Sequence, residues 1–238
     1  MHMSNDIDRR ALIAGTASVA VGVAALAAGT TAFAQAAPNL PKYDPRPLGF
    51  DPKAIKGLTE QILVSHHDNN YVGAVNRLNA INAELAKSDP AVLPPFMLSG
   101  LKREQLIATN SMILHEVYFG SLGAGGEPKG EIATALARDF GSVAAWRTEF
   151  AATGKALGGG SGWVLLVYSP RLSRLVNQWA ADHSMTIADG IPVLALDMYE
   201  HAYHMDYGAK AAAYVDAFMA AINWDNVAAS YAARRTGK

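Results

Sequence analysis

LDMYEHAYHMDY, Leu196 to Tyr207, decides the reading of this chain because it concentrates Asp197, Glu200, His201 and His204 in a short stretch. Asp197 and His201 stand four apart, so a helical or tight-turn backbone projects a carboxylate oxygen and an imidazole nitrogen from one face. One metal ion takes such a pair of donors. Two further imidazoles, His66 and His115, lie upstream in helical patterns. Three neutral imidazoles with one hard oxygen suit iron, manganese or zinc and disfavour calcium or magnesium.

Outward from that stretch, Pro192 to Leu196 reads as a strand feeding straight into the cluster. Trp163 to Tyr168 and Leu172 to Trp179 are two more apolar runs, joined by the hairpin signal Ser169-Pro170-Arg171. Leu58 to about Ala86 is a long helical pattern, with Leu58, Ile62, Ala74, Leu78, Ile81 and Leu85 at spacings of three, four and their multiples. Pro90, Pro94 and Pro95 break the chain before a second helix, about Lys102 to Phe119, that ends at a glycine-rich stop. Helices are expected also over Glu131 to Arg138, Val143 to Lys155 with Ser142 as N-cap, Lys210 to Ile222 and Asn226 to Ala233. The fold class is α + α/β: an N-terminal helical hairpin, residues 37–124, followed by a C-terminal α/β metal-binding lobe with a three-stranded antiparallel sheet, residues 125–238.

Residues 1–36 read as an address. Arg9-Arg10 precede an uncharged run from Ala11 to about Thr30 and an A-x-A site, Ala32-Phe33-Ala34, which is the layout of a twin-arginine export signal cleaved after Ala34 or Ala36. A retained membrane anchor is the alternative. Cleavage predicts a periplasmic or secreted protein with no stable membrane association. Asp6, Asp8, Arg9 and Arg10 cancel, so the remainder keeps the formal charge of −1 and presents no electrostatic footprint for nucleic acid. With no cysteine, disulfides, thiolate zinc and iron–sulfur sites are excluded. His115-Glu116 is followed by Phe119 where a zinc protease helix needs a second histidine, and Gly158 to Gly162 lack the Lys-Ser/Thr of a P-loop.

LDMYEHAYHMDY, followed by Tyr214 and Ile222-Asn223-Trp224-Asp225, resembles the signature of the iron/manganese superoxide dismutase family. GGEPKGEIATALARDFGSVAAWRTEF, Gly125 to Phe150, and GSGW, Gly160 to Trp163, stand in that family's order. The resemblance implies that His66, His115, Asp197 and His201 hold one Fe or Mn ion per chain, with His67 the rival for the first position. It further implies superoxide as the substrate, converted to dioxygen and hydrogen peroxide, and a homodimer or dimer of dimers in which Glu200 reaches the other subunit's histidine ligand. Trp163 resembles the aromatic wall beside the ion, while Trp146, Trp179 and Trp224 are expected in the core or an interface.

The chain departs from that pattern around the ion. Ser111 occupies the helix position where the family places a glutamine that holds bound solvent, so His183 is the expected replacement. Ala74 occupies the usual place of the active-site tyrosine, leaving Tyr71 as the candidate gate. Tyr199 stands for the usual tryptophan and His204 for the second tyrosine of the motif. These changes motivate the alternative of a non-catalytic metal-binding or assembly protein that keeps the fold.

Overall fold

The computed structural model describes residues 39–235, which fall within one compact unit. The signal expected over residues 1–36 lies outside the described residues. Among the described residues no helix is long and apolar enough to cross a membrane.

Helix α1, Glu60–Ser65, opens at Thr59, whose Oγ1 accepts the Ile62 N–H at 3.3 Å. The backbone N–H and hydroxyl of Thr59 both donate to Asp206, at 2.8 and 2.7 Å, so the start of this helix is tied to the segment just after the His201 motif. The helix continues through a π-helical turn, His66–Tyr71, into α2, Val72–Lys87. One long helix was the expectation, and the path is indeed continuous. The gap in its apolar series between Ile62 and Ala74 marks the π turn, where i→i+5 bonding brings His66 and Tyr71 together onto the buried side.

Helix α3, Pro95–Gly120, begins earlier than the expected Lys102. Pro95 occupies its first turn, where the missing N–H has no intrahelical partner to lose, so this proline starts the helix rather than breaking the chain. Helices α2 and α3 pack as a hairpin, burying Val75, Leu78, Ile81 and Leu85 on one side and Ala108 and Met112 on the other.

The remaining helices are α4, Gly130–Phe140; α5, Val143–Ala156; α6, His204–Tyr207; α7, Ala211–Ala220; and α8, Trp224–Arg235. Ser142 caps α5 as expected, its Oγ accepting the Ala145 N–H at 2.9 Å. Strands β1, Trp163–Ser169, β2, Arg174–Ala180, and β3, Ile191–Asp197, form an antiparallel sheet of order β2-β1-β3. Every residue of β1 is buried, as its uninterrupted apolar run requires of a central strand. β2 starts two residues later than expected because Leu172 and Ser173 belong to the hairpin turn, Ser173 having φ of 51°.

Helix α3 lies against β3, which brings the helical hairpin to the end of the sheet where Asp197 emerges. Gly162 makes that end possible: its φ is 131°, and a Cβ there would sit 2.1 Å from the Ala180 carbonyl oxygen. Its own carbonyl accepts the Met198 N–H at 2.9 Å, pinning β1 to the residue after Asp197. Trp146 and Trp224 are core, whereas Trp179 is half exposed on β2.

Candidate metal centre

Four side chains from four elements meet here: His66 from the π turn, His115 from α3, Asp197 from the end of β3, and His201 from the 3₁₀ turn Glu200–Ala202. One donor atom from each lies within 4.8 Å of all the others. The Asp197–His201 pair is made by a strand end followed by a tight turn, the second of the two geometries its spacing permits.

Three imidazoles aim Nε2 at the same carboxylate oxygen, Asp197 Oδ2: His66 at 3.1 Å, His201 at 3.3 Å and His115 at 3.6 Å. His115 settles how such a cluster is satisfied. Its Nδ1–H donates to the Ser111 carbonyl at 2.6 Å, so in the neutral ring Nε2 carries a bare lone pair, and that atom is buried without a hydrogen-bond partner. A cation fits a buried orphan acceptor facing a buried carboxylate. A protein-only core would leave it as a desolvation cost.

The electrostatics agree. Burial pushes the His66 imidazole below its usual range and drives His115 down to about 3, so both rings are neutral at physiological pH, the form in which an imidazole can bind a metal. For Asp197 burial alone would raise the carboxyl, but hydrogen bonds from His201 and His66 prevail and hold it well below the usual carboxylate range. Asp197 Oδ1 accepts the Tyr199 N–H at 2.8 Å, which orients the carboxylate, and its main-chain carbonyl accepts the Tyr214 hydroxyl at 2.7 Å, which anchors its backbone.

Trp163 and His183 line the same centre. The Trp163 ring lies 5.3 Å from that of His115, edge to face, and its Nε1–H donates to His183 Nδ1 at 2.9 Å. With Nδ1 accepting, the neutral His183 ring carries its proton on Nε2 and is a donor there. Asn110 on α3 donates to the His183 carbonyl at 2.6 Å, holding the loop against the helix.

Tyr199, read in the sequence only as a departure from a tryptophan, is sandwiched between His183 and His201 at 4.9 and 5.4 Å, with ring planes within 13° of parallel. Its place two residues after Asp197 was the available signal.

The structure does not bring Tyr71 into the cluster. Its hydroxyl accepts the Arg46 N–H at 2.9 Å and donates to Glu116 at 3.1 Å, while its ring faces His67 and Phe119. His67 is likewise outside, its ring nitrogens against Asp68 Oδ1 at 2.7 Å and the Arg46 carbonyl at 2.8 Å. Glu200 is exposed on the turn before His201.

Such a centre, three neutral imidazoles and one carboxylate between a helical hairpin and a sheet, defines a protein that holds a single ion of the iron, manganese or zinc kind. The sequence profile described as iron/manganese superoxide dismutases, C-terminal domain, matches residues 128–230. A relative from Cupriavidus metallidurans, "Superoxide dismutase [Fe]", is 66% identical over 191 residues, covering 80% of this chain and 97% of its own. "Superoxide dismutase [Mn] 2" of Haloferax volcanii is 37% identical over 194 residues, covering 79% and 95%. "Superoxide dismutase [Fe]" of Pyrobaculum aerophilum is 31% identical over 192 residues, covering 78% and 90%. The chain belongs to the iron/manganese superoxide dismutase family.

Proposed function

We infer that the protein dismutes superoxide with one iron or manganese ion held by His66, His115, Asp197 and His201. The convergence of three Nε2 atoms on Asp197 Oδ2, with that of His115 otherwise orphaned, carries the reading at the level of the site. Iron is the ion we assign, because the relative with 66% identity is named for iron and the one with 37% for manganese.

An iron or manganese ion held by these four residues would supply the one-electron redox chemistry by which one superoxide is oxidised to dioxygen and the next, with two protons, is reduced to hydrogen peroxide. The protein's own groups orient the donors and deliver protons. Ser111 and Tyr214 fix His115 and Asp197, and the Tyr199 ring braces His201. His183, donor-ready at Nε2 through its bond from Trp163, is the residue we assign to hold solvent beside the ion. Trp163 walls the site. Tyr71 acts at one remove, ordering Arg46 and Glu116.

Elemental analysis and superoxide consumption by the purified protein test the assignment. Iron near one per chain with rapid dismutation is expected; a fully loaded protein that consumes no superoxide would return it to the non-catalytic alternative.

The finer proposals follow from sequence. A symmetric dimer with Glu200 directed to the partner's centre suits an exposed carboxylate beside a ligand that is itself part-exposed. Twin-arginine export would deliver the folded, loaded protein beyond the cytoplasm. Replacing Arg9 and Arg10 with lysine is expected to trap precursor in the cytoplasm, and unchanged delivery would refute export by that route.

A further inference from the structure

Strands β2 and β3 flank β1 and both run antiparallel to it, so they run parallel to each other. β2 ends at Ala180, opposite Trp163, and β3 begins at Ile191, opposite Tyr168. Residues 181–190 therefore return along the length of β1, roughly 17 Å at the rise of a strand, and carry His183 on the way.

Side chains alternate across a strand, and the register pair Leu165 with Gln178 puts Gln178 on the sheet face that carries Trp163 and Asp197. Gln178 is 8% exposed, and the returning connection engages both halves of its amide. Its Oε1 accepts the Ile187 N–H at 2.9 Å, and its Nε2–H donates to the Met185 carbonyl at 3.3 Å. Those partners fix the orientation of the amide, since one is purely a donor and the other purely an acceptor. Gln178 thus pairs with the connection much as a neighbouring strand would.

Other bonds act on the same loop without reaching the sheet. Asp182 Oδ1 accepts the N–H and the hydroxyl of Ser184, at 2.7 and 2.6 Å, in a tight turn with His183 at its middle. Asn110 holds the His183 carbonyl against α3. The turn shapes the loop and Asn110 sets it against a helix, whereas Gln178 registers it against the sheet. That difference matters because the bond that sets the His183 tautomer comes from the sheet, from Trp163 on β1 at 2.9 Å. A slip of the loop by about 1 Å relative to β1 would carry that bond out of hydrogen-bonding range.

We propose that Gln178 is a positioning residue for the metal centre: its two bonds to the connection hold His183 in register with Trp163, and so keep the ring's proton on Nε2. The consequence for turnover rests on the superoxide reading and on the place given there to His183, but the positioning itself is read without either.

The ring nitrogens of His183 report it, by long-range proton–nitrogen correlation spectroscopy on the full protein loaded with diamagnetic zinc; turnover is measured separately on the iron-loaded protein. One neutral tautomer is expected in the wild type, with Nδ1 bare and Nε2 protonated. Gln178→Met keeps the shape of the side chain and removes both bonds. It is expected to mix the two tautomers, to speed exchange of the Nε2 proton with water about tenfold or more, and to lower turnover about tenfold at matched iron content. Gln178→Glu keeps the acceptor for Ile187 and regains a donor for Met185 once its carboxyl is protonated, so its His183 signals should approach those of the wild type as pH falls from about 8 to about 5.5. Asn177→Ala removes two bonds on the opposite face of β2, to Trp146 and Glu149, and is expected to leave the His183 tautomer unchanged. A wild-type tautomer and exchange rate in Gln178→Met would overturn the proposal, as would an equal disturbance by Asn177→Ala, which would trace the effect to general loosening of the strand. Mixed tautomers in Gln178→Met with turnover unchanged would keep the positioning and remove His183 from the superoxide reading.

Discussion

Trp163 stands directly opposite Asp197 in the β1–β3 ladder, so the indole and the carboxylate at the heart of the cluster project from the same face of the sheet. The same indole donates to His183. One register pair thus places the carboxylate of the cluster, the indole beside it and, through that indole, the orientation of the His183 ring.

Replacing Trp163 with Phe keeps most of the wall but removes the N–H that sets the His183 tautomer. Superoxide turnover is expected to fall about tenfold or more with the ion retained, as changes to groups supporting a metal site typically do. His183→Ala should fall similarly, and the double variant should lose little beyond either single one, because the two residues act through one hydrogen bond. Fully additive losses in metal-matched stopped-flow assays would show that they act separately.

His66 and His67 are adjacent in sequence, yet only His66 joins the cluster. His66→Ala is expected to empty or strongly weaken the site, while His67→Ala retains iron near one per chain, because only His66 joins the cluster and the ring nitrogens of His67 are engaged elsewhere. Metal content by elemental analysis decides, and an empty His67→Ala beside a loaded His66→Ala would reverse the assignment.

The ion-free protein should weaken in mild acid. Burial depresses His66 and His115, so between about pH 6.5 and the folded value, about 3 for His115, the unfolded chain binds protons that the folded rings refuse. Stability is therefore fully present above about pH 6.5 and falls as pH drops, by up to about 1.4 kcal/mol per unit for each ring. The depressed carboxyl of Asp197 adds a loss in the same direction only below about pH 4, where the unfolded carboxylate begins to protonate. Urea midpoints of metal-free protein at pH 7.5 and 5.0 measure this, and equal midpoints would mean that the rings are not held neutral by the fold.

Gly162→Ala should destabilise the protein by about 2 kcal/mol or more, since the residue has φ of 131° and the new Cβ would collide with a backbone oxygen of β2. Because Gly162 also anchors Met198, beside Asp197, iron affinity should fall with stability. A variant as stable and as well loaded as wild type would show that the strand ends tolerate the shift.

The elements were legible where local chemistry is periodic or punctuated. The all-apolar run of β1, the Ser142 cap, the Ser169-Pro170-Arg171 turn and the Asp197-to-His201 spacing each write their structure in neighbouring residues. Pro95 misled because proline both breaks a chain and starts a helix, and its sequence neighbours alone do not distinguish the two. The π turn left only a gap in a hydrophobic series.

By itself the sequence determined the donor types, the three strands, the helical hairpin and the likeness that selects His66 over His67, since these depend on residue identity and spacing along the chain. Tertiary structure alone decided which rings share a space. The bond from Trp163 to His183, the Tyr199 ring between His183 and His201, the turning of Tyr71 toward Glu116 and the tie from Thr59 to Asp206 all join residues whose meeting depends on how α3 seats against β3 and how the π turn rotates α1 relative to α2. Packing sets those angles, and side-chain hydrogen bonds, acting over a few ångströms, respond to rotations that a one-dimensional pattern does not encode.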